Sequence, residues 1–88
     1  MSSEEAGSTT VKTTQYFQAM RNRPDRAIIQ VEWIQRVIDH PLKETIQQDG
    51  RTHRWAPIAE MGGRHLRVIL LPDGETVHNA FFDRSFTP

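Results

Sequence analysis

Residues 43–82 read KETIQQDGRTHRWAPIAEMGGRHLRVILLPDGETVHNAFF, and the punctuation of this stretch decides the fold. Asp49-Gly50, Gly62-Gly63 and Asp73-Gly74 recur at separations of 13 and 11 residues, each pair lying between segments of strand length, as hairpin loops require. The spacing predicts four consecutive strands near 43–48, 51–60, 65–71 and 75–82, paired as an antiparallel meander. Pro57 removes a ladder donor from the second strand, which predicts a bulge or an unpaired side at that point.

Immediately upstream, residues 27–40 (AIIQVEWIQRVIDH) carry a helical pattern. At 100° per residue Ala27, Val31, Ile34 and Ile38 share one face, flanked by Trp33 and Val37, while Glu32, Gln35, Arg36 and Asp39 fall opposite. Glu32 and Arg36 have the favourable i,i+4 order for an ion pair, and Pro41 ends the helix. Two starts are compatible with the residues: Asp25 caps a helix after Pro24, or the helix begins near Gln30 with Ile28 and Ile29 extended. Residues 13–23 (TTQYFQAMRNR) read as a further short helix with Tyr16, Phe17 and Met20 on one face. The expected class is therefore α+β, with an N-terminal helix or helices packed on a four-stranded antiparallel meander sheet.

The chain is 88 residues long, enough for one small domain. Through Thr14 its apolar side chains are Met1, Ala6 and Val11, so residues 1–13 are expected to form a disordered tail and residues 14–88 the single α+β domain. The absence of cysteine excludes disulfides, thiolate metal sites and a cysteine nucleophile. No apolar run reaches the roughly 18 residues of a membrane span, and the N-terminus lacks the pattern of a signal peptide, so a cytoplasmic location without membrane contact is expected.

Eleven basic residues, nine Arg and two Lys, balance eleven acidic ones. The balance is global and not local: residues 14–26 carry three Arg against Asp25, and residues 51–67 carry four Arg against Glu60. Arg suits planar, bidentate contacts with carboxylate or phosphate, but a sequence pI near 6.9 argues against a dedicated, tight nucleic-acid binder.

With a two-residue loop in each hairpin, Ile46 opposes His53, Ala59 opposes Leu66, Trp55 opposes Leu70, and Leu70 opposes Val77. One face then collects Ile46, Trp55, Pro57, Ala59, Leu66, Val68, Leu70, Val77 and Phe81 as a core for the helix to cover. The other collects Arg54, Ala56, Ile58, His65, Arg67, Ile69, Leu71, His78, Ala80 and Phe82. In this register Arg67 opposes Ala80 and lies diagonal to His78. Loops of three or five residues would undo the arrangement, because a one-residue slip turns every side chain of a strand over.

Two functions fit the second face. His78 as general acid or base, with Arg67 as its catalytic partner and Arg54 and Arg84 holding phosphate, suits metal-independent cleavage of RNA by its own 2′-hydroxyl. Alternatively Ile58, Ile69, Phe82 and Phe86 form an apolar patch that a cognate protein, a second copy of the chain or the first helix covers. No cofactor is expected. A metal site is not expected either, since His53 falls on the face opposite His65 and His78, and no His pair has zinc-like spacing. Glu60 and Asp83 lack a paired carboxylate, and Gly62-Gly63-Arg64 lacks the Lys-Ser/Thr end of a phosphate loop, so it reads as a turn.

The pieces RPDR (23–26), EWI (32–34), DGR (49–51), LRV (66–68) and DGETVHNAFFDR (73–84) resemble a family of small uncharacterised bacterial proteins, often phage-associated, that carry a domain of unknown function. The resemblance covers about residues 15–88. The wider architecture, a helix followed by an antiparallel meander with an L-R-V-type central strand, is similar to the BrnT and RelE toxins, which are ribonucleases working with antitoxin partners. The closer resemblance implies the fold and no established activity. The distant one implies a metal-independent RNase of toxin type, with an antitoxin-like partner, and only Arg67 and the His78 to Arg84 segment lie where such toxins place functional groups. RelE-like toxins are commonly strongly basic, and this chain departs from them in being neutral.

Overall fold

The computed structural model describes residues 11–88. It is an α+β fold: helices α1 (Gln15–Met20), α2 (Pro24–Ala27) and α3 (Val31–Asp39) precede strands β1 (Lys43–Ile46), β2 (Thr52–Ile58), β3 (Arg64–Leu70) and β4 (Val77–Phe82). The strands form one antiparallel sheet in the order β1-β2-β3-β4. Among the described residues no helix is long and apolar enough to cross a membrane.

Of the two helix starts, the later one is adopted. Gln30 is the extended N-cap of α3, and Pro24 to Ala27 form a separate helical turn with Pro at its first position, where its missing N–H costs nothing. α3 buries Trp33, Ile34 and Val37 against β2 and β3, in one core with Ile58, Leu66, Val68 and Leu70 and with Val77 of β4. Each such side chain contributes roughly 1.5–3 kcal/mol by leaving water. Arg36 does not pair with Glu32 as its spacing suggested. It makes a bidentate contact with Glu60, both bonds 2.9 Å, and ties α3 to the turn after β2. That contact draws the Glu60 carboxyl down to about 2.

The last part of the expected tail is structured. Val77 N–H donates to Lys12 O at 2.8 Å and Thr14 N–H donates to Val77 O at 3.1 Å, so residues 12–14 lie parallel to the start of β4. Residues 1–10 of the expected tail lie outside the described residues. Thr14 also caps α1 through its side chain, which accepts from Phe17 N–H.

The register differs from that of two-residue loops, and the reason lies in the turns. Gln47 pairs with Arg51 around Gln48, Asp49 and Gly50, a three-residue loop in which Gly50 has φ of 87°. Ala59 to Met61 form a 3-10 turn closed by left-handed Gly62, so Ile58 pairs with Arg64 across five residues. Both loops are odd, and each turns its strand over relative to the prediction. The third hairpin keeps the expected Leu70–Val77 pair, but a bulge at His78 then moves the rest of β4 by one, so that Arg67 faces Phe81 and Val68 faces Ala80.

These shifts exchange several side chains between faces. Ala56, Ile58, Ala80 and Phe82 belong to the helix-covered core, whereas Trp55, Pro57 and Phe81 belong to the open face. Leu66, Val68, Leu70 and Val77 are core residues as expected, and His65, Arg67 and Ile69 lie on the open face as expected. Pro57 causes no bulge. The odd-numbered residues of β2 direct their backbone groups toward β1, and β1 pairs only with residues 52–55, so Pro57 occupies an unpaired side.

Candidate functional site on the open sheet face

The pairing of β2, β3 and β4 puts Trp55, Arg67 and Phe81 in one row across the face that α3 leaves uncovered. Arg67 stands between the two rings, its guanidinium carbon 4.9 Å from the Trp55 ring centre and 5.6 Å from that of Phe81. On its far side Phe81 meets the guanidinium of Arg26 at 5.3 Å, brought there by α2. Arg26 also donates to Asn79 Oδ1, which accepts from Ala80 N–H as well. This pair satisfies a backbone donor that β4, as the last strand, turns away from the sheet.

Two groups fix Arg67 further. His53, one row along, accepts at Nδ1 from Arg67 Nε and Nη2, and Asp83 Oδ2 accepts from Arg67 Nη1 at 3.2 Å and from Trp55 Nε1 at 3.0 Å. Asp83 is 9% exposed, and its other oxygen accepts from the backbone and hydroxyl of Ser85. These donors, with Ser85 first and Trp55 next, hold the carboxyl at about 2. His53 is displaced downward from the usual imidazole range, chiefly by burial and then by the Arg67 charge.

The Ser85 turn bends the C-terminal residues back over the sheet. Phe86 stacks on Trp55 at 5.1 Å and 16°, touches His65 at 4.8 Å, and has the Lys43 ammonium 6.0 Å from its centre. Beside it lies a groove of about 340 Å³ lined by Arg64, His65, Phe82, Asp83, Arg84 and Phe86. Arg64 and Arg84 continue into an adjoining groove with Asp25, Arg26, Ile28, Phe81 and Phe82. Among the described residues, the ion pairs within 4 Å involve Lys12, Arg23, Arg26, Arg36, Arg51, Arg54 and Arg67, and none involves Lys43, Arg64 or Arg84.

The proposed catalytic pair does not converge. His78 occupies the bulge at the β4 edge, its ring stacked on Tyr16 at 4.8 Å and its Nδ1 3.2 Å from Thr14 Oγ1, whereas Arg67 is engaged by His53 and Asp83. Burial displaces His78 downward, with the Arg51 charge adding to it. Arg54, expected beside Arg67, points to the helix side and is spent on Glu44 and on the Ile38 carbonyl at the end of α3. Arg84 is exposed at the groove. Of the expected partner-binding residues, Ile58 is 0% exposed and part of the core, Phe82 packs edge-on against Trp33, and Ile69 and Phe86 are half-buried on the open face. His53 shares the open face with His65, contrary to the two-residue-loop register.

Trp55, Phe81, Asp83, His53 and Arg64 are the residues of this site that the sequence reading did not place. A five-residue loop between β2 and β3 would have set Trp55 opposite Arg67, whereas Phe81 reaches Arg67 through the bulge at His78 and Asp83 through the turn after β4. Comparison of the chain with protein-family models, with curated proteins and with solved structures returned no match.

Proposed function

We propose that the chain is a small toxin-like interaction module that binds a protein partner, antitoxin-like in role, through the open face of its sheet and without catalysis. The observation that carries this reading is the Arg67 row. A tryptophan, an arginine and a phenylalanine sit in register on a face that no helix covers, Trp55 lying 7% exposed beneath Phe86, and Asp83 and His53 hold the arginine rigid. Aromatic and arginine side chains fixed before contact lose little conformational freedom on binding, which favours recognition. Chemistry has less support, because Arg67 spends its donors on neighbours and His78 is turned to Thr14 and Tyr16.

Co-expression with the products of adjacent genes, followed by purification, tests the reading. A stoichiometric partner should co-purify with the native chain and be lost with Ile69→Glu, which charges the open face without touching the core. A partner insensitive to Ile69→Glu would count against the face.

RNA binding, with cleavage as its strongest form, has one observation in its favour: Arg64 and Arg84 flank His65 and Phe86 at a groove, cations beside rings on which bases stack. Anisotropy of a labelled single-stranded RNA at two salt concentrations tests it, because phosphate contacts weaken steeply with salt.

A further inference from the structure

Resting on the reading of the open face as a partner surface, we propose that Phe86 is an exchangeable plug, and that the partner segment displacing it carries an aromatic residue flanked by carboxylates. The chain's own C-terminus supplies the template. Asp83 puts a carboxylate on Arg67 and Trp55, and three residues later Phe86 lays a ring on Trp55 and His65.

The two halves of this template are held unequally. Asp83 is anchored by its backbone N–H to His65 O at 2.9 Å and by four side-chain hydrogen bonds, with little of its carboxylate exposed. Phe86 has ring contacts and a single long bond, from its N–H to Asp83 O at 3.4 Å. Its ring can therefore leave while the Asp83 anchor stays. The cations around the plug define the newcomer. Lys43 lies over the Phe86 ring, Arg64 and Arg84 line the groove beside it, and none of the three has a carboxylate within 4 Å among the described residues. Bidentate guanidinium pairing suits carboxylates, and the ring platform suits an aromatic side chain between them.

The probe is an acetylated hexapeptide of one phenylalanine among five glutamates, titrated against the full chain and followed by NMR shifts of His65, Arg64 and the Trp55 indole N–H. The native chain should bind it, and Phe86→Ala should bind it about tenfold tighter, the gain expected when a plug closed nine-tenths of the time is removed. Retention of the downfield Trp55 indole signal shows that Phe86→Ala is folded; removal of residues 86–88 provides a second unplugged chain and should behave alike. Arg64→Glu with Arg84→Glu should abolish binding. Equal affinity for a peptide with lysine in place of glutamate, unchanged affinity in both unplugged chains, or binding of a six-nucleotide oligouridylate in place of the peptide would each overturn the proposal. Such a result leaves the partner surface standing if the co-expressed partner is still lost with Ile69→Glu. Loss of the co-expressed partner's dependence on Ile69, with the peptide still bound at the plug, would instead remove the larger surface and keep the plug.

Discussion

Nδ1 of His53 accepts from two nitrogens of Arg67, Nε at 3.1 Å and Nη2 at 2.7 Å, so one imidazole nitrogen faces a guanidinium that can only donate. The ring must therefore be neutral, with its proton on Nε2.

Two consequences are measurable. Long-range nitrogen-proton NMR should show the Nε2–H tautomer of His53, and its titration should lie below the ordinary value of about 6.5. Burial is the larger cause and the Arg67 charge the next, so Arg67→Met should raise the His53 pKa only part of the way back. Because the folded value is depressed, the stabilisation is complete above the unfolded pKa and declines as pH falls through about 6.5 toward the folded value. A His53 that protonates first on Nδ1, or whose pKa falls in Arg67→Met, would contradict the geometry.

The register predicts opposite outcomes for two isoleucines that a two-residue-loop reading puts on one face. Ile58→Glu buries a charge in a fully enclosed position and should cost several kcal/mol, enough to unfold a domain of this size. Ile69→Glu lies on the open face and should change stability by less than about 1 kcal/mol. Urea unfolding monitored by circular dichroism decides between them, and similar costs at the two positions would mean that the strands pair otherwise.

That pair also marks how far the sequence could be read. The α3 stripe, the four strands and the order of the meander were legible, because Ile34, Val37, Leu66, Val68 and Leu70 follow helical and strand periods that burial imposes. The turns were legible as positions and not as lengths. An Asp-Gly or Gly-Gly pair marks a left-handed residue, yet Gly50 closes a three-residue loop and Gly62 ends a 3-10 turn that begins at Ala59. Strand side chains alternate with period two, so the odd β2–β3 loop exchanged Trp55 with Ala56, and the one-residue bulge at His78 exchanged Phe81 with Phe82. The same errors put His78 near Arg67, and no local pattern signals a bulge at His78 or the return of Asp83 and Phe86 over the sheet.

Asp83 should make the fold sensitive to acid. Its carboxyl is held at about 2, so its stabilisation is complete above the unfolded value near 4 and is lost as pH falls from there toward 2. The shift corresponds to on the order of 2 kcal/mol at neutral pH. Asp83→Ala should cost roughly 1–3 kcal/mol, since the Trp55 indole N–H loses its acceptor and Arg67 its counter-charge, and should flatten stability between pH 4 and 2. Thermal unfolding across that range checks both. An unchanged acid slope in Asp83→Ala would assign the sensitivity to Glu60 or Asp73, whose carboxyls are also held at about 2.

Gly50 and Gly74 close two turns and both have positive φ, 87° and 74°, so alanine at either position meets left-handed strain of about 1–2 kcal/mol. They differ in what surrounds the added methyl. At Gly74 nothing lies within 4 Å, whereas at Gly50 a Cβ would stand 3.2 Å from Cγ of Pro72, across from the β3–β4 turn. Gly50→Ala therefore pushes one hairpin against another and should lower the melting temperature more than Gly74→Ala. Replacing Pro72 by alanine in the Gly50→Ala background removes the Cγ and should narrow the difference. If Gly50→Ala and Gly74→Ala melt together, the contact between the two turns contributes nothing, and the three-residue loop is held by its own bonds, Gln47 N–H to Arg51 O, Gly50 N–H to Gln47 O and Arg51 N–H to Asp49 Oδ1.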